Sequence, residues 1–457
     1  MRYKEVVRSF LKSQSNKEKN TNPHSQLHIL TQPEVIPNNS GRKENWYIRF
    51  ITLCMSNFNI PGKIKMHKIM IISTTGLPNN APSLRLFNYT YLLKDTMKIL
   101  YYCNVNIDNS ITTVSNLNNF NDYTCLYKNY QYVFISKNFK YRMVNILELF
   151  TGYYFKKKIK KYIELENPDY ILLYNPLCHI LKYIYKLCKQ KKITLIIDCT
   201  EWYEYYKNDH FISKFYAKSV DKRIRKFDLK VDGIIVISSY LEDYYDRINV
   251  NKFKLPPITK SVVKKNSLKI NKKICTYAGS PAKKDIIEPM IDAFIDFNLK
   301  KINIELHFIG LTEKDLKSQR YIHLSKFGIY FHGKKSHDEV IKLLNNTTFS
   351  FLFREKKRYA LAGHSTKMAE CLSNGVPIIF NNVGGEEKIL EEKKCGWMIE
   401  KVNKKNIIDI LHVINKLSDK EILNYKYNCI NTANKIYAYQ NYSQDFINFL
   451  TEIKSKH

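Results

Sequence analysis

Residues Arg354 to Gly385 read REKKRYALAGHSTKMAECLSNGVPIIFNNVGG, and no other part of the chain is as informative. The stretch is entered from an apolar strand pattern, Phe349, Phe351 and Phe353, and leaves through another, Val376 to Phe380. Between them Ala362-Gly363-His364 predicts a turn, and a short helix follows from about Ser365. A helix that opens on Ser365-Thr366-Lys367 behind a glycine suits an anion, because backbone N–H groups and the positive dipole end converge there. Glu370, about a turn and a half further on, can receive a hydroxyl of whatever carries the anion. From the turn alone, an ordinary Ser-capped helix between two strands reads equally well.

Upstream, ICTYAGSPAKKD (Ile274 to Asp285) predicts a strand and a Gly279-Ser280-Pro281-Ala282 turn. The turn brings Lys283 and Lys284 to the strand mouth, where an ammonium can neutralise phosphate charge. A solvated loop is the plainer alternative. LHFIG (Leu306 to Gly310) and IYFHG (Ile329 to Gly333) read as strands ending in glycine. In the first half, MHKIMIISTTGLPNNAPSLRL (Met66 to Leu86) is a strand, a polar loop with Gly76, Asn79 and Asn80, and a helix start carrying Arg85. That opens an α/β nucleotide-binding unit without a G-x-G-x-x-G fingerprint. ITLIIDCTEWYEYY (Ile193 to Tyr206) puts Asp198, Thr200 and Glu201 at a strand's C-terminal end, where parallel sheets bind ligands. A strand-end Asp can also simply cap the next element.

In this order the segments resemble the GT-B glycosyltransferases, especially the family 4-like, retaining enzymes of glycosyl transferases group 1. The resemblance runs from about Met66 to the C-terminus and is most specific in the second half. It implies two Rossmann-like domains whose parallel sheets face each other across a cleft. It further implies that Gly363, His364, Ser365, Thr366 and Lys367 face the diphosphate of a nucleotide sugar, and that Glu370 holds its ribose. Many relatives carry two glutamates eight positions apart; the first falls here on Ala362, so its contact with the donor sugar is missing or supplied elsewhere. Gly279, Ser280, Lys283 and Lys284 would meet the leaving phosphate. Ser280 stands where relatives often have Arg, which makes Arg354 the candidate second cation. His332 and Gly333 would lie beside the base, although His332 also reads as a plain surface histidine. Gly76 would lie over the phosphates, and Asp198 and Glu201 would face sugar and acceptor. The implied catalytic set is therefore Lys284, Arg354, Glu201 and Asp198, with no metal and no cofactor beyond the donor. The implied acceptor is a glycan or lipid-linked hydroxyl in cell-surface polysaccharide or glycolipid synthesis.

At 457 residues the chain is too long for one core, and short Ile/Val/Leu/Phe runs alternate with longer polar-patterned stretches, as in βαβ units. The expected division is 1–65, a polar, aperiodic extension; 66–262, the acceptor domain; 263–437, the donor domain; and 438–457, a helix crossing back to the first domain. Met66 also reads as a natural start. Thr259 to Lys273 is lysine-rich and without a strong period, as a hinge would be.

Seventy-four Lys and Arg against 42 Asp and Glu give a net charge of +32, a field that attracts phosphate-rich partners. Between Lys214 and Lys230 the residues Lys214, Lys218, Lys222, Arg225 and Lys226 fall near helical spacing, interleaved with Phe215, Tyr216 and Ile224. That helix could rest on an anionic leaflet, extended by FKKKIKK (Phe155 to Lys161), or be a solvated face. No run approaches the roughly 18–20 apolar residues of a membrane-spanning helix. The ten cysteines never form C-x-x-C and the twelve histidines show no ligand spacing, which points to a reducing cytoplasm and away from disulfide frames and zinc sites. The expected location is cytoplasmic, peripheral at the inner membrane face. Two rivals stay open: a nucleotide-sugar epimerase on the same scaffold and, more distantly, a basic nucleic-acid binder, for which no recognition helix or aromatic platform is recognisable.

Overall fold

The computed structural model describes residues 66–78, 80–104, 115–117, 122–135, 142–248, 250–260, 272–279, 285–316, 321 and 323–456. The expectations for residues 1–65, Asn79, Ser280, Lys283, Lys284 and most of the hinge lie outside them.

The first domain runs β1 (His67–Ser73), α1 (Ala81–Leu93), β2 (Met97–Cys103), β3 (Ser115–Leu117), β4 (Asp122–Tyr127) and β5 (Tyr130–Phe134). It continues with α2 (Arg142–Thr151), α3 (Tyr153–Glu166), β6 (Tyr170–Tyr174), α4 (Cys178–Lys191), β7 (Thr194–Cys199), α5 (Phe211–Lys226), β8 (Gly233–Val236), α6 (Ser239–Asp246) and β9 (Lys252–Lys254). Its strands form one sheet in the order β3-β4-β5-β2-β1-β6-β7-β8-β9. Only the β3/β4 and β4/β5 pairings are antiparallel. Central strands such as YILLY are apolar throughout because helices cover both faces. Asn80 caps α1 by accepting the Ser83 amide at 3.0 Å, which fixes where Arg85 starts.

The second domain runs β10 (Ile274–Ala278), α7 (Glu288–Phe297), β11 (Glu305–Ile309), β12 (Ile329–Phe331), α8 (His337–Asn345) and β13 (Phe349–Leu352). Then come α9 (Arg358–Ala362), α10 (Thr366–Ser373), β14 (Ile378–Asn381), α11 (Lys388–Glu392), β15 (Gly396–Ile399), α12 (Lys404–Lys416) and α13 (Asp419–Ile436). Its sheet, β12-β11-β10-β13-β14-β15, is wholly parallel. Two parallel-sheet α/β domains result, the class the alternation predicts. The last helix, α14 (Ser443–Ser455), lays Phe446, Phe449, Leu450 and Ile453 into the same core cluster as Ile69, Leu86 and Leu255 of the first domain. It sits so close to β8 that a β-carbon on Gly233 would lie 2.8 Å from the Phe449 ring.

All nine described cysteines are buried thiols. In the basic helix Lys218, Lys222 and Lys226 are exposed, as either reading has them, but the apolar residues expected beside them turn inward. Ile224 is fully buried, Tyr216 packs on the core, and Arg225 is bonded to Asp221 within the helix. Helical spacing marks two faces, and here the aromatic one faces inward. The apolar side chains that do reach solvent nearby are Leu147 on α2, Tyr153 on α3 and Phe211 and Ile212 on α5. Phe150 stands 5.7 Å from the Phe211 ring and so joins α2 to the start of α5.

Candidate active site

Both sheets end at the same region. In the second domain the ends of β10, β11 and β12 carry Gly279, Gly310 and Gly333. The Gly279 amide donates to Ile309 O at 2.8 Å and the Gly310 amide to Gly333 O at 2.8 Å. These bonds make a terrace of backbone without side chains. At Gly310, φ is +100° and a β-carbon would sit 2.9 Å from the Gly279 carbonyl, so only glycine fits.

Beside the terrace, the stretch from Arg354 to Gly385 folds as two helices rather than a turn and one helix. The five residues of α9 are too short to show a period, and the turn proper is Gly363 to Ser365. Ser365 caps α10 through its hydroxyl, which accepts the Met368 amide at 3.3 Å. Lys367 then reaches under Gly279 and bonds Asp285 and the Tyr277 hydroxyl, the latter at 2.7 Å. Tyr277 also donates to Asp285 at 2.6 Å. Burial lowers the Lys367 ammonium's pKa and Asp285 raises it in part. Glu370, one turn on, is half-buried. Desolvation pushes its carboxyl up to about 7, against the opposing pull of Lys367. His337, at the start of α8, stands 3.8 Å from the Glu370 carboxylate.

Arg354 lies at the end of β13, anchored by its backbone to Asn381 through bonds of 2.9 Å in each direction. Its guanidinium is 3.6 Å from Glu387, whose carboxyl is raised by burial. The second oxygen of Glu387 has no hydrogen-bond partner among the described residues. The cation is therefore already half-balanced.

The first domain meets this assembly at the end of β7. A β-carbon on Gly363 would lie 3.8 Å from the Thr200 carbonyl. Thr200 is held by Asn175, whose amide donates to the hydroxyl at 2.5 Å and accepts the Thr200 N–H at 3.0 Å. Glu201 accepts from Tyr203 at the edge of the same gap. Gly76 lies in the loop after β1 and is partly exposed.

Two expectations, those for Asp198 and His364, need correction. Asp198 does not face a ligand: it is fully buried, gripped by Arg85 and bonded by the Tyr89 hydroxyl at 2.9 Å. His364 turns away from the turn that carries it and bonds the Tyr437 hydroxyl at 3.0 Å. Burial lowers its pKa to about 4, with Glu386 opposing. His332 bonds His307 at 3.2 Å, and His307 bonds Glu305 at 3.3 Å. These residues line a cavity of about 610 Å³ at the outer β11/β12 edge.

Several residues escape sequence reasoning: His337, Glu386, Glu387, Asp285 and Arg358. Asp285 closes the lysine motif and Glu386-Glu387 follows Gly384-Gly385, so proximity to a glycine turn is the signal that could have found them. Across the domains, the Ser238 hydroxyl donates to the Ala362 carbonyl at 2.8 Å and the Ser239 amide to Glu386 at 2.6 Å. Ala362 is fully buried within the first domain's core cluster. That packing accounts for a small residue at this position.

Residues 260–435 match the family described as glycosyl transferases group 1. No curated protein matches. Sucrose-phosphate synthase from Thermosynechococcus elongatus superposes with a TM-score of 0.64 at 12% identity, covering 86% of this chain and 100% of that one. Anabaena HepE in complex with UDP gives 0.58 at 12% identity, over 84% of this chain and 100% of that one. WaaG, a glycosyltransferase involved in lipopolysaccharide biosynthesis, gives 0.57 at 11%, over 82% and 98%. At such identities the likeness is one of fold, and that fold is GT-B.

Proposed function

We propose that the chain moves a sugar from a nucleotide-diphospho-sugar to an acceptor hydroxyl, a reading supported by the match of residues 260–435 to glycosyl transferases group 1 and by the GT-B fold. The observation that carries this reading is the meeting of the Gly363–Thr366 turn with the end of β7, beside a side-chain-free glycine terrace. A diphosphate at the start of α10 would receive backbone N–H groups and the positive dipole end. Lys284 and Arg354 would balance the charge that develops as the diphosphate leaves, and closure of the gap excludes water. Glu370 would bond the ribose. Neighbours whose names include UDP and lipopolysaccharide biosynthesis support a nucleotide sugar and a cell-surface glycan or glycolipid acceptor. Family resemblance favours retention, with the departing phosphate as base on the same face.

The acceptor would be reached at an anionic membrane surface. Leu147, Tyr153 and Phe211 would enter the headgroup layer while Lys214, Lys218, Lys222 and Lys226 hold the leaflet.

Thermal protection by nucleotide diphosphates and nucleotide sugars tests the donor site. A ligand at 100 times its dissociation constant adds about 2.7 kcal/mol, and Glu370→Ala should remove roughly 1–3 kcal/mol of that binding. Lys284→Ala should lower kcat more than it raises KM. Binding of single-stranded nucleic acid that survives physiological salt, with no protection by nucleotides, would overturn the reading. Isomerised donor without acceptor would instead identify the epimerase.

A further inference from the structure

The segment after β7 is tied to the second domain at one residue, Arg358. Trp202 is almost fully buried, and its indole N–H donates to Asp221 on α5 at 2.8 Å. Two guanidinium carbons lie over its ring, that of Arg225 at 5.0 Å and that of Arg358 at 4.8 Å from the centroid. Arg225 belongs to the first domain and bonds Asp221 at 3.0 and 3.1 Å. Arg358 comes from the other domain, at the first position of α9. Its Nη2 donates to the Tyr203 carbonyl at 2.8 Å and approaches Asp221 to 3.7 Å, while its backbone N–H donates to Glu204 at 3.1 Å.

We propose that Arg358 is an interdomain latch, a positioning residue that fixes the segment Thr200–Glu204 to α9 so that Glu201 and the Gly363 turn are held as one body. The physics favours a latch over a passive contact. A desolvated cation over an indole is held more firmly than one in water, and Arg adds directional bonds that a Lys could not copy. Asp221 balances both guanidinium groups only while the domains are together. When they part, Arg358 recovers water, and Trp202 loses the cover on one side. The helix that carries Arg358 ends at Ala362 and Gly363, so whatever moves the latch moves the turn. The same contact closes the gap for any donor, and it does not depend on which sugar is transferred.

The chain has three tryptophans, Trp46, Trp202 and Trp397, so Trp46→Phe with Trp397→Phe leaves Trp202 as sole reporter. In that background Arg358→Ala should shift Trp202 emission to the red, raise its quenching by iodide and enlarge the radius of gyration in X-ray scattering. Arg358→Lys should restore part of the ring contact but not the compact radius. Arg225→Ala removes the other cation from the same ring within one domain, so it should alter emission and leave the radius unchanged. A folded Arg358→Ala protein with unchanged quenching and radius overturns the latch, as does Arg225→Ala expanding the molecule equally. If Arg358→Ala does not fold, Arg358→Gln is read by the same two measurements.

Discussion

Arg85 grips Asp198 inside the first domain through two parallel bonds, Nε to Oδ2 at 2.8 Å and Nη2 to Oδ1 at 2.9 Å. The remaining guanidinium nitrogen donates to the carbonyls of Leu255 and Pro256 at 3.0 and 3.3 Å. The pair thus ties α1, β7 and the exit toward the second domain at one point, and the burial that encloses it keeps Asp198 from substrate. Breaking a buried pair strands a charge and costs on the order of 3–5 kcal/mol. Asp198→Asn should therefore lower the urea midpoint markedly, while the surviving folded fraction keeps its turnover. An Asp198→Asn protein with parental stability and lost turnover would return this carboxylate to the chemistry.

Gly279 and Lys367 make a second local test. Gly279 has φ of +129°, and a β-carbon there would stand 2.5 Å from the Lys367 Cε. Gly279→Ala must strain the backbone, by roughly 1–3 kcal/mol, and push Lys367 off Asp285. A lower melting temperature together with weakened protection by nucleoside diphosphates is expected. Parental values for both would mean that Lys367 is not packed beneath the terrace.

The donor half is legible in the sequence because its signals are local. Glycines at strand ends and a serine before a helix act on the next few residues, and Ser365, Gly279, Gly310 and Gly333 sit where those rules put them. Asp198 is illegible because its partner lies 113 positions away, and nothing beside either residue announces the other. His364 belongs to a turn motif by position, but burial against Tyr437 is decided by the C-terminal segment. Arg358 reads as one more lysine-rich surface residue until the other domain supplies Trp202. The aromatic side of α5 reads as exposed because periodicity gives two faces without saying which is covered.

Ala362 shows why one residue type can be dictated by packing. It is fully enclosed among first-domain side chains, and its carbonyl takes the Ser238 hydroxyl at 2.8 Å. Ala362→Glu would place an unpaired carboxylate in that contact and should cost several kcal/mol, separating the domains before it helps catalysis. Ala362→Ser, a small change, serves as control. Chemical denaturation followed by activity assays distinguishes the outcomes; a stable and more active Ala362→Glu enzyme would mean that the position faces the donor.

Glu370 and His364 should make stability depend on pH in opposite senses. The folded Glu370 carboxyl titrates at about 7 against 4.5 when unexposed to the fold, so the native state holds its proton longer. Its contribution is present below about pH 4.5 and is lost as pH rises through 7. The folded His364 imidazole titrates at about 4 against 6.5, so the unfolded chain binds its proton first. Its contribution is present above about pH 6.5 and is lost as pH falls through 4. Each is worth on the order of 1–3 kcal/mol when fully expressed. Between pH 4.5 and 6.5 the two slopes oppose, and the parent protein should look flat there. Glu370→Gln should stabilise the protein at pH 8 and uncover the fall toward acid. His364→Gln, which keeps a polar partner for Tyr437, should uncover the fall toward neutral pH. Urea titrations every half pH unit from 4 to 8 measure both, and identical profiles for parent and Glu370→Gln would mean that this carboxyl is not held protonated beside the turn.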